Sequence, residues 1–210
     1  MRTLAIETAS EACSLALFEG DALIARAHRV LGRGHAEALV PMIAALPGKG
    51  RSGRILVSLG PGSFTGVRIG LATARTLGFA WGAEVLGYPT LALIAAQARA
   101  AHPGAAVTVC VNGGHGEWFV QDFGADGRAE GAVASLAPAA AAERPLAAVI
   151  AGSRAAELAA LVGENGRKVL PLLPEAAAVP PGDPALFTSV LTPIYGRGAD
   201  ATPMAERARA

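Results

Sequence analysis

The stretch Gly60-Pro61-Gly62-Ser63-Phe64-Thr65-Gly66 carries the residue types best able to hold an anion. Three glycines and a proline within seven residues force a sharp turn. Ser63 and Thr65 can each offer a side-chain oxygen to the orphan N–H groups of a helix that starts here. Exposed N–H groups at a helix start bind phosphate-like anions. The competing reading is that the glycines only let the chain reverse tightly. The phosphate-loop pattern G-x-x-x-x-G-K-[ST] is not met, because Gly66 is followed by Val67 and no lysine is near. Hydrolytic chemistry has less support. His28, His35, His102 and His115 form no His-x-x-x-His pair that would set two imidazoles on one helical face. Neither Ser63 nor Ser153 stands in G-x-S-x-G. Cys13 and Cys110 are isolated in apolar runs, so they make neither a disulfide framework nor a zinc site. They read as small buried hydrophobes in a reducing cytoplasm.

The turn needs a strand before it and a helix behind it. Ile55-Leu56-Val57-Ser58-Leu59 is a short apolar run that fits a buried strand. In the helix that follows, Gly66, Gly70, Ala74, Gly78 and Gly82 recur every four residues and share one face. Each helical glycine costs about 0.8–1 kcal/mol relative to alanine, so a row of them implies close approach of another backbone. That backbone belongs either to the protein's own sheet or helices or to a second molecule; the spacing serves both.

Composition bounds the rest. The 210 residues are 52% hydrophobic and 17% charged, which predicts a folded core in one domain or two small lobes. No apolar run reaches the ~18–20 residues of a membrane helix, and no secretory leader precedes the first strand. A net charge of +1 and ten aromatic residues give neither a basic field nor many stacking platforms for RNA.

Along the chain, strands are predicted from Leu4, over Ser14–Phe18 and from Ala22 towards Val30, forming an antiparallel meander. A helix opens near Gly34-His35, with Leu39, Met42, Ile43 and Leu46 on one face. Pro41 either kinks that helix or marks its first turn. Glu84–Tyr88 is a further strand and Thr90 starts an alanine-rich helix. The second half repeats the outline. It has a hairpin from Val107 to Phe123 turning at Asn112–Gly116, a strand over Leu146–Ala151, a helix from Ser153 to Leu161 and a strand at Lys168–Leu170. Asp183-Pro184 is a favourable start for a last helix through Leu191. Pro193–Arg197 reads as an extended tail, and the alanine- and arginine-rich end as frayed. The outline is α/β in two lobes, residues 1–103 and 104–210.

Three blocks together resemble the TsaB (YeaZ) family of the bacterial machinery that makes threonylcarbamoyladenosine beside the tRNA anticodon. They are Leu4 to Ser14, His35 with Leu39-Val40-Pro41, and Gly60-Pro61-Gly62-Ser63-Phe64-Thr65-Gly66-Val67-Arg68-Ile69-Gly70. Glu117-Trp118-Phe119 and Pro193–Arg197 look like the family's second-lobe hairpin and tail. The resemblance implies an actin-like fold of the sugar-kinase and heat-shock ATPase class (ribonuclease H-like), with two lobes of mixed sheets flanked by helices. It implies a non-catalytic cytoplasmic subunit that binds the paralogous catalytic subunit TsaD and is joined by the ATPase TsaE. Homodimers form in isolation, and tRNA is met only through the complex. The partner face would comprise Leu39, Met42, Ile43, Gly66, Gly70, Ala74 and Gly78, with the smaller second lobe's last helix packing back on the first. No cofactor of its own is implied, with room for ATP or ADP at the junction with partner subunits. Glu7, Gly60, Gly62, Ser63 and Thr65 are the candidates to touch it. Glu7 stands where the family usually has aspartate and is the one carboxylate placed to hold magnesium. The turn Thr8-Ala9-Ser10-Glu11-Ala12 lacks the glycine that lets actin-like ATPases approach phosphate.

Overall fold

The computed structural model describes residues 1–163 and 165–196. The first sheet contains β1 (Arg2–Glu7), β2 (Ala12–Glu19), β3 (Ala22–Val30), β4 (Arg54–Ser58) and β5 (Glu84–Tyr88). Its order is β3-β2-β1-β4-β5. β1 and β2 are apolar over nearly their whole length, which places them mid-sheet with both faces covered. β3 carries Arg26, His28 and Arg29 and takes the edge. Leu4 opposes Leu17 in the antiparallel β1–β2 pair and Ile55 in the parallel β1–β4 pair.

Parallel neighbours require crossovers. They are α1 (His35–Ala44), leading to β4, and α2 (Phe64–Trp81), leading to β5. Both lie on one face of the sheet, where Leu39, Met42 and Ile43 of α1 and Val67, Leu71 and Ala74 of α2 meet Leu4, Ile6, Leu15 and Val57. Pro41 lies inside α1, past its first turn.

After α3 (Thr90–Ala101), a second sheet contains β6 (Val107–Gly114), β7 (Glu117–Phe123), β8 (Ala134–Leu136), β9 (Val149–Ala151) and β10 (Lys168–Leu170). Its order read from β8 is β8-β7-β6-β9-β10. β6 pairs antiparallel with β7, β7 with β8, β6 parallel with β9, and β9 parallel with β10. Strand for strand, this repeats the order and sense of the first sheet. The helices α4 (Pro138–Ala142) and α5 (Ala155–Val162) cover one face. α3 covers the other through Leu91, Ile94, Ala95 and Ala98, so it packs with the second lobe although it precedes residue 103.

The predicted helix from Asp183 through Leu191 does not form. Pro184–Leu186 make one 3₁₀ turn, with Asp183 Oδ1 accepting from the Ala185 amide. The chain is then drawn out, because Thr188 exchanges two backbone hydrogen bonds with Gly87 of β5. β8 and α4 were not predicted, since three-residue strands and five alanine-rich residues carry no periodicity. Arg197 and the alanine- and arginine-rich end lie outside the described residues.

Candidate functional site

Ser63 caps α2 as its sequence suggests: its Oγ accepts from the Gly66 amide at 3.2 Å. The turn in front of it is filled by the chain itself. A Cβ at Gly62 would overlap the Ala9 carbonyl, and one at Gly66 would overlap the Thr8 carbonyl. The Ser63 amide donates to Ala9 O at 2.7 Å, and Thr8 Oγ1 donates to Gly66 O at 2.8 Å. The glycines therefore admit the β1–β2 turn onto the start of α2. A carbonyl oxygen takes the place an anion would need. Gly60 O accepts from the Thr90 amide, and Thr65 points to solvent on the first turn of α2.

Glu7 ends β1 beneath this junction and is fully buried. Its Oε1 accepts from the Ala9 amide at 2.7 Å, whereas Oε2 has no hydrogen-bond partner. The nearby hydroxyls are committed elsewhere: Ser58 and Thr90 pair at 2.5 Å, and Tyr88 donates to Ile6 O. Burial outweighs these contacts and pushes the carboxyl up to about 7. A magnesium ion needs several oxygen ligands, largely water and carboxylate. No group of three or more His, Cys, Asp or Glu stands together among the described residues. A sealed, half-neutral carboxyl under a closed turn does not fit a magnesium–nucleotide complex. Burial likewise raises Cys13 to about 11 and Cys110 to about 12, which leaves both as inert thiols.

The small-residue face of α2 is turned inward. A Cβ at Gly70 would meet Thr8 Oγ1 and one at Gly78 would meet the Val85 side chain. Ala74 is fully buried, and Leu39, Met42 and Ile43 lie in the same core. This corrects the expectation that these seven residues form the partner face. The backbone they approach is the protein's own sheet. Roughly opposite on α2 runs a different strip, Thr65, Ala72, Thr76 and Phe79, all exposed; Phe79 is 94% exposed. On α1, Val40 is 56% exposed beside Pro41.

A cavity of about 810 Å³ opens between the lobes. Its rim holds a cluster the sequence did not suggest as a unit. The Arg68 guanidinium lies 3.6 Å over the Phe64 ring and donates to the Tyr195 hydroxyl at 3.4 Å. The two rings are 5.6 Å apart. The i, i+4 spacing of Phe64 and Arg68 was readable, but Tyr195 arrives from the tail, 127 residues beyond Arg68.

Two sheets of one order, each three antiparallel strands continued by two parallel ones, define an actin-like two-lobed protein. The ethanolamine utilization protein EutJ from Carboxydothermus hydrogenoformans shares this fold, at TM-score 0.50 and 10% identity over 86% of this chain and 88% of that one. YeaZ from Pseudomonas aeruginosa superposes at TM-score 0.71 with 28% identity, over 84% of this chain and 87% of that one. In sequence, the chain is 35% identical over 133 residues to the Escherichia coli (strain K12) tRNA threonylcarbamoyladenosine biosynthesis protein TsaB. That match covers 60% of this chain and 56% of the relative, so the chain spans about half the length of the curated relatives it matches. Residues 29–161 match the family model described as TsaD: tRNA N6-adenosine threonylcarbamoyltransferase. The chain belongs to this family, in its TsaB (YeaZ) branch. No helix among the described residues is long and apolar enough to cross a membrane.

Proposed function

We propose that this chain is a non-catalytic subunit of the cytoplasmic complex that forms N6-threonylcarbamoyladenosine in tRNA, where it docks a TsaD-like catalytic paralogue. The single observation that carries this reading is the outward strip of α2. A side chain as large and apolar as Phe79 stands 94% exposed, in line with Ala72 and Thr76. An exposed aromatic ring gains by being buried in a partner's pocket, and such aromatic anchors carry much of the energy of a protein contact. The names of the relatives supply the pathway. The filled glycine turn and sealed Glu7 support a supporting role over independent ATP chemistry. In this reading a TsaE-like ATPase joins the pair, any ATP or ADP belongs to the subunit junction, and tRNA is met through the partner. In isolation the same strip serves a homodimer.

The test is Phe79→Asp and Ala72→Arg, with association to the TsaD-like subunit measured by calorimetry. Each variant is expected to weaken association by about 100-fold or more, as for a central contact. Both melt where the native chain does, because both positions are exposed. Unchanged association would remove the strip from the interface.

A further inference from the structure

We infer that the interlobe cavity is a binding site for a small organic anion with an apolar, ring-bearing body, its charged group held by Arg68. The volume, about 810 Å³, lies in the range of small-molecule sites. The wall is mostly apolar: Pro61, Val67, Ile94, Val111, Phe119 and Leu172 contribute to it from both lobes. An occupant must therefore present an apolar body to gain by entering.

Charge on the wall is sparse. Among the described residues, Arg68 is its one arginine or lysine and Glu11 its one carboxylate. Arg68 makes no ion pair among the described residues. Its position is fixed instead by the Phe64 ring beneath it and the Tyr195 hydroxyl beside it. A planar guanidinium held by a ring, with its charge unmatched, is preorganised for a carboxylate, sulfonate or phosphate. Phe64 and Tyr195 are 54% and 52% exposed, which leaves ring surface at the rim for a flat group to stack on. The glycine turn forms part of the wall through Pro61, Gly62 and Ser63, but the Ser63 amide is taken by Ala9 O, which leaves Arg68 to hold the charge. The site is independent of partner docking, so it is tested on the isolated full chain.

The probe is anilinonaphthalene sulfonate, a flat apolar ring system with one anionic group, followed by fluorescence titration. The native chain is expected to bind it with a dissociation constant on the order of 10 μM. Arg68→Ala should weaken binding about tenfold or more, Arg68→Lys should recover part of the loss, and Arg26→Ala, on the far edge strand, should change nothing. Asn112→Trp, which fills the cavity from an exposed position on its wall, should abolish the signal. Inorganic phosphate in large excess should not displace the probe, and AMP should compete only weakly. Equal affinity in the native and Arg68→Ala chains overturns the role of Arg68. An unaltered titration with Asn112→Trp overturns the location. AMP binding more tightly than the probe overturns the apolar body. Melting curves of each variant that match the native chain keep loosened cores from mimicking the signal.

Discussion

Glu7 is the residue whose chemistry the fold changes most. Its carboxyl rises from 4.5 to about 7 because burial removes it from water without supplying a cation. The native state thus binds a proton that the unfolded chain has released across that interval, so stability falls as pH climbs from about 4.5 to about 7 and is level above it. The full effect is about 3 kcal/mol. Glu7→Gln, of the same length and uncharged, is expected to flatten this slope. Denaturant midpoints should place the variant above the native chain at about pH 8 and close to it at about pH 5. A native chain that gains stability over the same rise in pH would contradict the assignment. Glu7 was readable as the end of a strand. Its isolation was not, because that depends on the hydroxyls of Ser58 and Tyr88, from β4 and β5, pairing with Thr90 and Ile6 O instead.

At the scale of the element, α2 decides how the first lobe is built. Its glycines bring the helix axis close to β1 and β5, since Thr8 and Val85 occupy the space of the missing side chains. Gly70→Leu and Gly78→Leu should each lower stability by about 3 kcal/mol or more. Overpacking outweighs the gain of up to about 1 kcal/mol that removing a helical glycine brings. Thermal melts of the two variants, made beside Thr76→Leu on the outer face, separate the effects: the outer substitution should be nearly neutral. If all three behaved alike, the glycine face would not be the packed one. The period of four was legible in the sequence and the closeness it demands was correct. Its direction was not legible, because a smooth helical face suits a sheet and a foreign helix equally well. The last predicted helix failed for a related reason. Asp183-Pro184 is a sound local start, but Gly87 offers Thr188 a strand partner that no local pattern announces.

On the scale of the whole molecule, the two halves were legible as similar outlines, and their equal strand order was not, since register and neighbours are long-range properties. The chain after β10 then unites the lobes. The Ala176 amide donates to Ser14 Oγ, Thr188 pairs with Gly87, the Arg75 guanidinium donates to Leu191 O, and the Ile194 amide donates to Leu59 O. Leu191 and Ile194 pack on the first core, while Gly196 lies against Phe119 of β7. Ending the chain after Leu186 should cost roughly 3 kcal/mol, from lost backbone hydrogen bonds and exposed apolar surface, and should lower the denaturant midpoint for both lobes in one transition. A truncated chain as stable as the full one would show the strap to be ornamental. The same strap sets an order of events during synthesis. Ser14 must wait for a residue 162 positions later, so the first half leaving the ribosome lacks part of its own core. Such a lobe cannot complete itself ahead of the other, and maturation is expected to be a late, concerted step. Ribosome-bound chains stopped before Ala176 should remain open to protease throughout β1 and β2, while full-length released chains close both lobes together.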